Sequence, residues 1–138
     1  MERRVPGTGT RPRSIESGAA VIGVLTVDDD PGFLRLAREV VTATPGFDPV
    51  GEAATGEAAL ALVDELRPQL VLMDVRLPGI GGIEAARRIA DQGRDDVAVV
   101  LMSADPTLLV PEVLPSETIA VLRKERLTPT ALRELWPG

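Results

Sequence analysis

Four short apolar runs divide this chain, and their character limits its possible folds more than any other feature. The runs are residues 21–27, 69–75, 97–104 and 118–124. Each is more continuous than alternating, which is typical of parallel strands that are buried on both faces. A weaker fifth run, at residues 48–55, fits a strand nearer the edge of the same sheet. The pattern therefore predicts a parallel sheet as the centre of the fold.

Segments with helical periodicity follow the apolar runs. Asp30 is a candidate N-cap with Pro31 at the first helical position, and Thr128 and Pro129 have the same relation at the last helix. The strand–helix unit occurs five times, so the predicted fold class is α/β, with a five-stranded, doubly wound parallel sheet. A functional site is expected at the carboxyl ends of such strands.

One segment, residues 105–117, departs from this rhythm. It contains Pro106, Pro111 and Pro115, and prolines at this spacing break a long helix. The fourth of the five expected helices is therefore predicted to be irregular or shortened.

Composition excludes several kinds of chemistry. A chain of 138 residues that is 44% hydrophobic is long enough for one domain with a core. It has no cysteine and no histidine, which rules out disulfides, thiolate zinc sites and catalytic pairs that need an imidazole. The net charge of −6 argues against direct binding to nucleic acid or to an anionic membrane.

The first twenty residues differ in composition from the rest. Residues 1–20 are polar and rich in Gly, Pro and Ser, with four arginines, so they are predicted to form a disordered tail before a single domain at residues 21–138. They lack the apolar core of a secretory signal, and no apolar run approaches the roughly 20 residues of a membrane helix. The expected location is the cytoplasm.

Acidic side chains lie where two of the predicted strands end. Asp28, Asp29 and Asp30 follow the first run and Asp74 ends the second, while Ser103 and Lys124 end the last two. Parallel strands bring these positions to one edge of the sheet. Converging carboxylates repel one another unless a cation lies among them, and oxygen ligands alone favour Mg²⁺ or Mn²⁺. The hydroxyl and the ammonium suit the free oxygens of a phosphoryl group.

The same residues carry a resemblance to a known family. Two adjacent acids at Asp28 and Asp29, the stretch LVLMDVRLPG around Asp74, a hydroxyl at Ser103 and a lysine at Lys124 occur in the order of the response-regulator receiver domains of two-component signalling. The resemblance runs over nearly all of the predicted domain. It implies the CheY-like, flavodoxin-like fold with strand order 2-1-3-4-5.

The resemblance also implies a phosphoryl-transfer cycle on Asp74. A sensor histidine kinase or a phosphotransfer protein would donate the phosphoryl group, and an unidentified downstream protein would respond to it. Asp28, Asp29, Asp74 and the backbone carbonyl of Arg76 would hold the metal ion. Lys124 would pair with the phosphoryl oxygens. Such a domain is not an enzyme beyond its own phosphorylation and dephosphorylation.

The switching machinery departs from the family pattern in two places. Receivers with a rotating aromatic place it three residues before the lysine, where this sequence has Val121. Ser103 would therefore have to report phosphorylation without an aromatic partner. The proline-rich segment 105–117 falls in a region that such domains often use for pairing, so the usual dimer face is not assumed.

Two other functions fit part of the sequence. A magnesium-dependent phosphohydrolase of the haloacid-dehalogenase type would use Asp28 as nucleophile with Asp30, but it leaves Asp74 unexplained. A receiver-fold interaction module that signals without phosphate would fit the missing aromatic. Asp30 is most simply a helix cap, and Trp136 is expected to pack the last helix against the sheet. The Met1 start and the short terminal helix favour a stand-alone receiver over a fragment of a DNA-binding regulator.

Overall fold

Five parallel strands form the centre of the molecule. The computed structural model describes residues 21–92, 96–104 and 118–136. Its strands are β1 (Ile22–Val27), β2 (Phe47–Ala53), β3 (Leu70–Asp74), β4 (Ala98–Ser103) and β5 (Thr118–Arg123). They pair in parallel in the order β2-β1-β3-β4-β5. The predicted fold class and strand order are confirmed.

Four helices are described. They are α1 (Pro31–Thr42), α2 (Gly56–Leu66), α3 (Gly81–Asp91) and α4 (Pro129–Leu135). Three have the N-caps that short polar side chains favour: Asp30 accepts from Gly32 N, Thr55 from Ala58 N and Thr128 from Ala131 N. The caps at Asp30 and Thr128, each followed by a proline, are those that the sequence predicted.

Each face of the sheet has its own hydrophobic cluster, as continuous apolar strands require. Leu25, Val71 and Met73 belong to the cluster that lies against α2 and α3. Leu70 and Leu72 belong to the cluster against α1 and α4. Consecutive residues of β3 thus enter opposite clusters, and all five residues of that strand are buried. β3 is rigidly placed, which matters because it ends in Asp74.

The weak fifth run forms the edge strand β2, as predicted. Val24 pairs with Pro49 and Leu25 with Gly51, so the register shifts by one residue at Val50. A proline has no amide hydrogen for a central ladder, and it is tolerated at a sheet edge beside a bulge.

Two predictions fall on residues outside the described ranges. They are the disordered tail at residues 1–20 and the shortened fourth helix at residues 105–117. Within the described ranges, no helix combines the length and the apolar character that crossing a membrane would require.

Candidate functional site

The acids after β1 have three different environments. Asp28 is fully buried, and its Oδ1 accepts a hydrogen bond of 2.9 Å from the amide of Asp30. Asp29 is exposed. Asp30 is exposed and caps α1 through a 2.9 Å bond from Gly32 N to its Oδ1. One residue therefore begins the helix, while the other two are available to a site.

Asp74 reaches the same place from the neighbouring strand. β1 pairs with β3, with Val27 opposite Met73, so Asp74 ends beside Asp28. Asp74 is buried, and its Oδ1 accepts a 3.2 Å hydrogen bond from the backbone amide of Arg76. Carboxylate oxygens of Asp28, Asp29 and Asp74 lie within 4.8 Å of one another. The structure thus brings together the three acids that the sequence predicted as metal ligands.

Gly82 lets α3 begin close to Asp74. Its amide donates to the carbonyl of Val75 at 2.9 Å. A Cβ atom at this position would collide with the carbonyl oxygen of Asp74. Any side chain here would therefore displace the backbone that carries the carboxylate. The local sequence does not reveal this close approach, because it depends on how α3 packs.

Lys124 is the basic group of the site. It follows β5 directly and begins a single 3₁₀ turn, Lys124–Arg126. Its Nζ lies 2.6 Å from Asp28 Oδ2 and 3.4 Å from Asp74 Oδ2. Lys124 contacts both carboxylates, and the shorter ion pair is with Asp28.

Burial and charge shift two pKa values at this site. Burial raises the pKa of the Asp74 carboxyl above its ordinary value, and the nearby Asp28 raises it further against the opposing effects of the Arg76 amide and Lys124. Burial lowers the pKa of Lys124, but contacts with Asp28 and Asp74 outweigh that effect and the net pKa is raised. Lys124 therefore stays protonated, while the charge on Asp74 costs free energy in the absence of a further cation.

The donor set fits a hard divalent cation. It consists of carboxylate oxygens, with the Arg76 backbone two residues after Asp74. The buried Asp28 Oδ2 has no aligned hydrogen bond, although Lys124 Nζ is within ion-pair distance of it. A lone ammonium does not balance three acids, and the remaining negative charge favours a cation such as Mg²⁺ or Mn²⁺.

The other predicted residues lie on the neighbouring strands. Ser103 is buried at the end of β4, one position beyond Met102, which pairs with Asp74. Val121 is partly buried and packs against the cluster beside α2 and α3. The position that holds an aromatic in some receivers is thus filled by an aliphatic side chain that belongs to the core.

One further side chain reaches this site. The ring of Phe33, in the first turn of α1, has its centroid 4.6 Å from Lys124 Nζ, with the ammonium over the ring. Phe33 is one of the buried residues of α1 and belongs to the core cluster on that face of the sheet. Sequence analysis missed its contact with Lys124, because the two residues meet only through the tertiary packing of α1 on the sheet.

These features define a class of protein: a doubly wound α/β domain with an acidic pocket and one lysine at the carboxyl ends of its strands. Residues 24–130 match the family model of the response regulator receiver domain. The chain therefore belongs to the response regulator receiver domain family, which acts in two-component signalling, as the sequence resemblance predicted.

Individual proteins show the extent of the similarity. Protein-glutamate methylesterase/protein-glutamine glutaminase 4 of Myxococcus xanthus is 43% identical over 77 residues, which are 56% of this chain and 22% of that protein. Response regulator GacA of Pseudomonas aeruginosa is 40% identical over 87 residues, with 60% and 38% covered. The chain thus spans well under half the length of these relatives.

A solved structure matches more of the chain. The response regulator domain of CheB from Thermotoga maritima has a TM-score of 0.68 and is 25% identical. The match covers 83% of this chain and 93% of that domain. The similarity to longer proteins is therefore a similarity to their receiver part.

Proposed function

We propose that this domain accepts a phosphoryl group on Asp74 with the help of Mg²⁺ or Mn²⁺. The observation that carries the proposal is the convergence of Asp28, Asp29, Asp74 and Lys124 at one edge of the sheet. Three acids and one ammonium in a partly buried pocket match the needs of phosphoryl transfer, which depends on positioning and charge stabilisation more than on covalent chemistry.

The donor is a phosphohistidine on a sensor histidine kinase or a phosphotransfer protein. A carboxylate oxygen of Asp74 attacks phosphorus, the phosphorus–nitrogen bond breaks, and the leaving imidazole nitrogen takes up a proton. The product is an acyl phosphate on Asp74. No histidine is needed on this chain, because the unprotonated carboxylate is itself the nucleophile.

The remaining groups of the site stabilise charge. Asp28, Asp29, Asp74 and the carbonyl of Arg76 would hold the metal ion, which when bound would supply positive charge that offsets the charge of the phosphoryl oxygens. Lys124 supplies a second positive charge, and the Ser103 hydroxyl donates to a phosphoryl oxygen. Because Ser103 ends β4, its movement would report phosphorylation to the segment that follows and so to a downstream partner.

The burial of Asp28 distinguishes this function from the phosphohydrolase alternative. In a phosphohydrolase of the haloacid-dehalogenase type, Asp28 would be the nucleophile. Asp28 is fully buried, accepts the Asp30 amide and lies 2.6 Å from Lys124. Asp74 is less buried, and its contacts with the Arg76 amide and Lys124 are longer, so Asp74 is better placed to reach phosphorus. Asp28 is better suited to hold a cation.

Phosphorylation by a small donor tests the proposal. The protein is incubated with Mg²⁺ and phosphoramidate, and its intact mass is measured. The phosphorus–nitrogen bond of phosphoramidate imitates that of phosphohistidine. We expect a mass increase of one phosphoryl group in the wild type and none in Asp74→Asn. Asp91→Asn, an exposed acid at the end of α3, serves as the matched control and should be labelled like the wild type.

Other outcomes would identify the alternatives. Labelling that persists in Asp74→Asn but disappears in Asp28→Asn would support the phosphohydrolase assignment. A folded wild type that is not labelled with either metal would support an interaction module that works without phosphate.

A further inference from the structure

The ring of Phe33 contacts Lys124 but has no role in the chemistry proposed above. Phe33 is 8% exposed, and its ring lies under the ammonium of Lys124 at 4.6 Å. A cation within about 6 Å of an aromatic centroid is attracted by the negative face of the ring. Lys124 is only 24% exposed, so water competes weakly for its charge. The contact therefore stabilises a particular position of the ammonium.

The two carboxylates that pair with Lys124 also take part in metal binding and phosphorylation in the proposed function. Asp28 Oδ2 at 2.6 Å and Asp74 Oδ2 at 3.4 Å belong to the acids that would hold a cation, and Asp74 would become an acyl phosphate. Metal binding therefore weakens the ion pairs of Lys124, and phosphorylation replaces its contact with Asp74 by one with the phosphoryl group. The Phe33 ring is a partner that neither event removes, because a hydrocarbon ring ligates neither the metal nor the phosphoryl group.

From this contact we infer that Phe33 is a positioning residue: its ring holds the Lys124 ammonium at the site while the carboxylates exchange partners. The inference rests on the proposed phosphoacceptor function. Without the ring, the Lys124 ammonium would spend more time in solvent when Asp28 binds a metal ion. Asp74 would then react more slowly, because the positive charge would be absent from the site more often. A cation–π contact of ordinary strength corresponds to roughly a two- to fivefold effect on the rate constant.

Packing must be separated from positioning, because Phe33 also belongs to the core. The sequence offers a matched control. It contains two phenylalanines, and the other one, Phe47, packs edge-to-face against Trp136 with a centroid distance of 6.2 Å. Phe47 begins β2, opposite Ile22 at the far end of β1 from Asp28. Phe47→Leu therefore makes the same chemical change away from the site.

Nuclear magnetic resonance can observe the contact without any reaction. Lys124 is the sole lysine of the sequence, so selective lysine labelling gives one set of side-chain signals. Protons above an aromatic ring are shifted upfield. We expect an upfield shift of the Lys124 ε-methylene protons in the wild type, its loss in Phe33→Leu, its retention in Phe33→Trp and no change in Phe47→Leu.

Labelling kinetics test the consequence of the contact. At saturating Mg²⁺, Phe33→Leu should be phosphorylated by phosphoramidate roughly two to five times more slowly than the wild type, while Phe33→Trp and Phe47→Leu keep the wild-type rate. In a Lys124→Met background, Phe33→Leu should cause no further decrease, because the partner of the ring is gone. Thermal unfolding of each variant is measured in parallel.

The outcomes separate this inference from the proposed function. If the wild type is labelled and Phe33→Leu slows it equally with and without Lys124, the role of Phe33 is packing and the inference is wrong. If the wild type is not labelled, the proposed function fails. In that case the ε-methylene shift still decides whether the ring holds Lys124, and an unshifted signal would overturn the positioning role as well.

Discussion

The two ends of the same sheet differ sharply in how their side chains are held. At the carboxyl edge, defined here by Asp28, Asp29, Asp74, Ser103 and Lys124, acids converge and a fully buried carboxylate is paired with an ammonium. Burying charge in this way is a weak source of stability, because the desolvation cost is comparable with the attraction. The convergence of three acids on one lysine is therefore better explained by the binding of a cation than by a contribution to stability.

The amino edge, defined by Ile22, Phe47, Gln69 and Trp136, is held by neutral contacts. The Gln69 side chain accepts from Gly23 N at 2.8 Å and donates to the carbonyl of Val21 at 3.4 Å, which ties β1 to the start of β3. Phe47 and Trp136 meet edge-to-face. Hydrogen-bonded amides and aromatic pairs stabilise without requiring a ligand. The comparison shows neutral hydrogen bonds and aromatic packing at one end of the sheet and converging charges at the other.

Metal addition should produce the largest difference between the two edges. Mg²⁺ that binds only the folded state should stabilise the protein by about 2.7 kcal/mol at roughly 100 times its Kd. Asp29→Asn should lose most of this effect, whereas Asp30→Asn should keep it, because asparagine still caps α1. Thermal unfolding with Mg²⁺ and with a chelator measures both. Equal losses in the two variants would show that general acidity, and not the three-acid cluster, attracts the ion.

Removing the aromatic pair should affect stability alone. Trp136→Leu should lower the free energy of unfolding by about 2 kcal/mol, since it deletes the contact with Phe47 and part of a half-buried surface. The stabilisation by Mg²⁺ should remain that of the wild type, because six residues of β1 place the edges about 20 Å apart. For the same reason, the emission of the sole tryptophan should not respond to Mg²⁺. A smaller stabilisation by Mg²⁺ in Trp136→Leu than in the wild type would show that the two edges of the sheet are coupled.

The smallest expected effect concerns pH. Burial raises the pKa of Asp74 above the ordinary 3.8, so ionising this carboxyl costs the folded state free energy. Its contribution to stability is full below pH 3.8 and is lost as the pH rises through the pKa of the folded state. Without metal, Asp74→Asn should therefore be more stable than the wild type at pH 7, by about 1 kcal/mol.

Denaturant unfolding across pH checks this expectation. The advantage of Asp74→Asn should shrink as the pH is lowered toward 3.8, where the wild-type carboxyl becomes protonated in both states. Asp91→Asn should show no such trend. An Asp74→Asn variant that is less stable than the wild type at pH 7 would mean that the contact with Lys124 outweighs the cost of burial.

Much of the fold follows from local patterns in the sequence. The helix starts at Asp30 and Thr128 come from capping and from the proline that follows each cap, which act within a few residues. Continuous apolar runs gave the strands, because a strand covered on both faces has no exposed side to alternate with. Parallel pairing then placed the strand ends together, so Asp28, Asp29, Asp74 and Lys124 could be grouped before any contact was known.

The tertiary structure decided which of these groups touch. The shorter ion pair of Lys124 with Asp28, the ring of Phe33 beneath the ammonium and the approach of Gly82 to Asp74 join residues that are far apart in sequence or fixed by helix packing. Periodicity gives the face on which a residue lies, not the distance to a residue on another element. The sequence by itself determined the sheet, the helix starts and the set of charged residues, because these depend on neighbours along the chain. Only the packing of α1 on the sheet and the pairing of β5 with β4 determined how the single lysine is shared among two carboxylates and an aromatic ring.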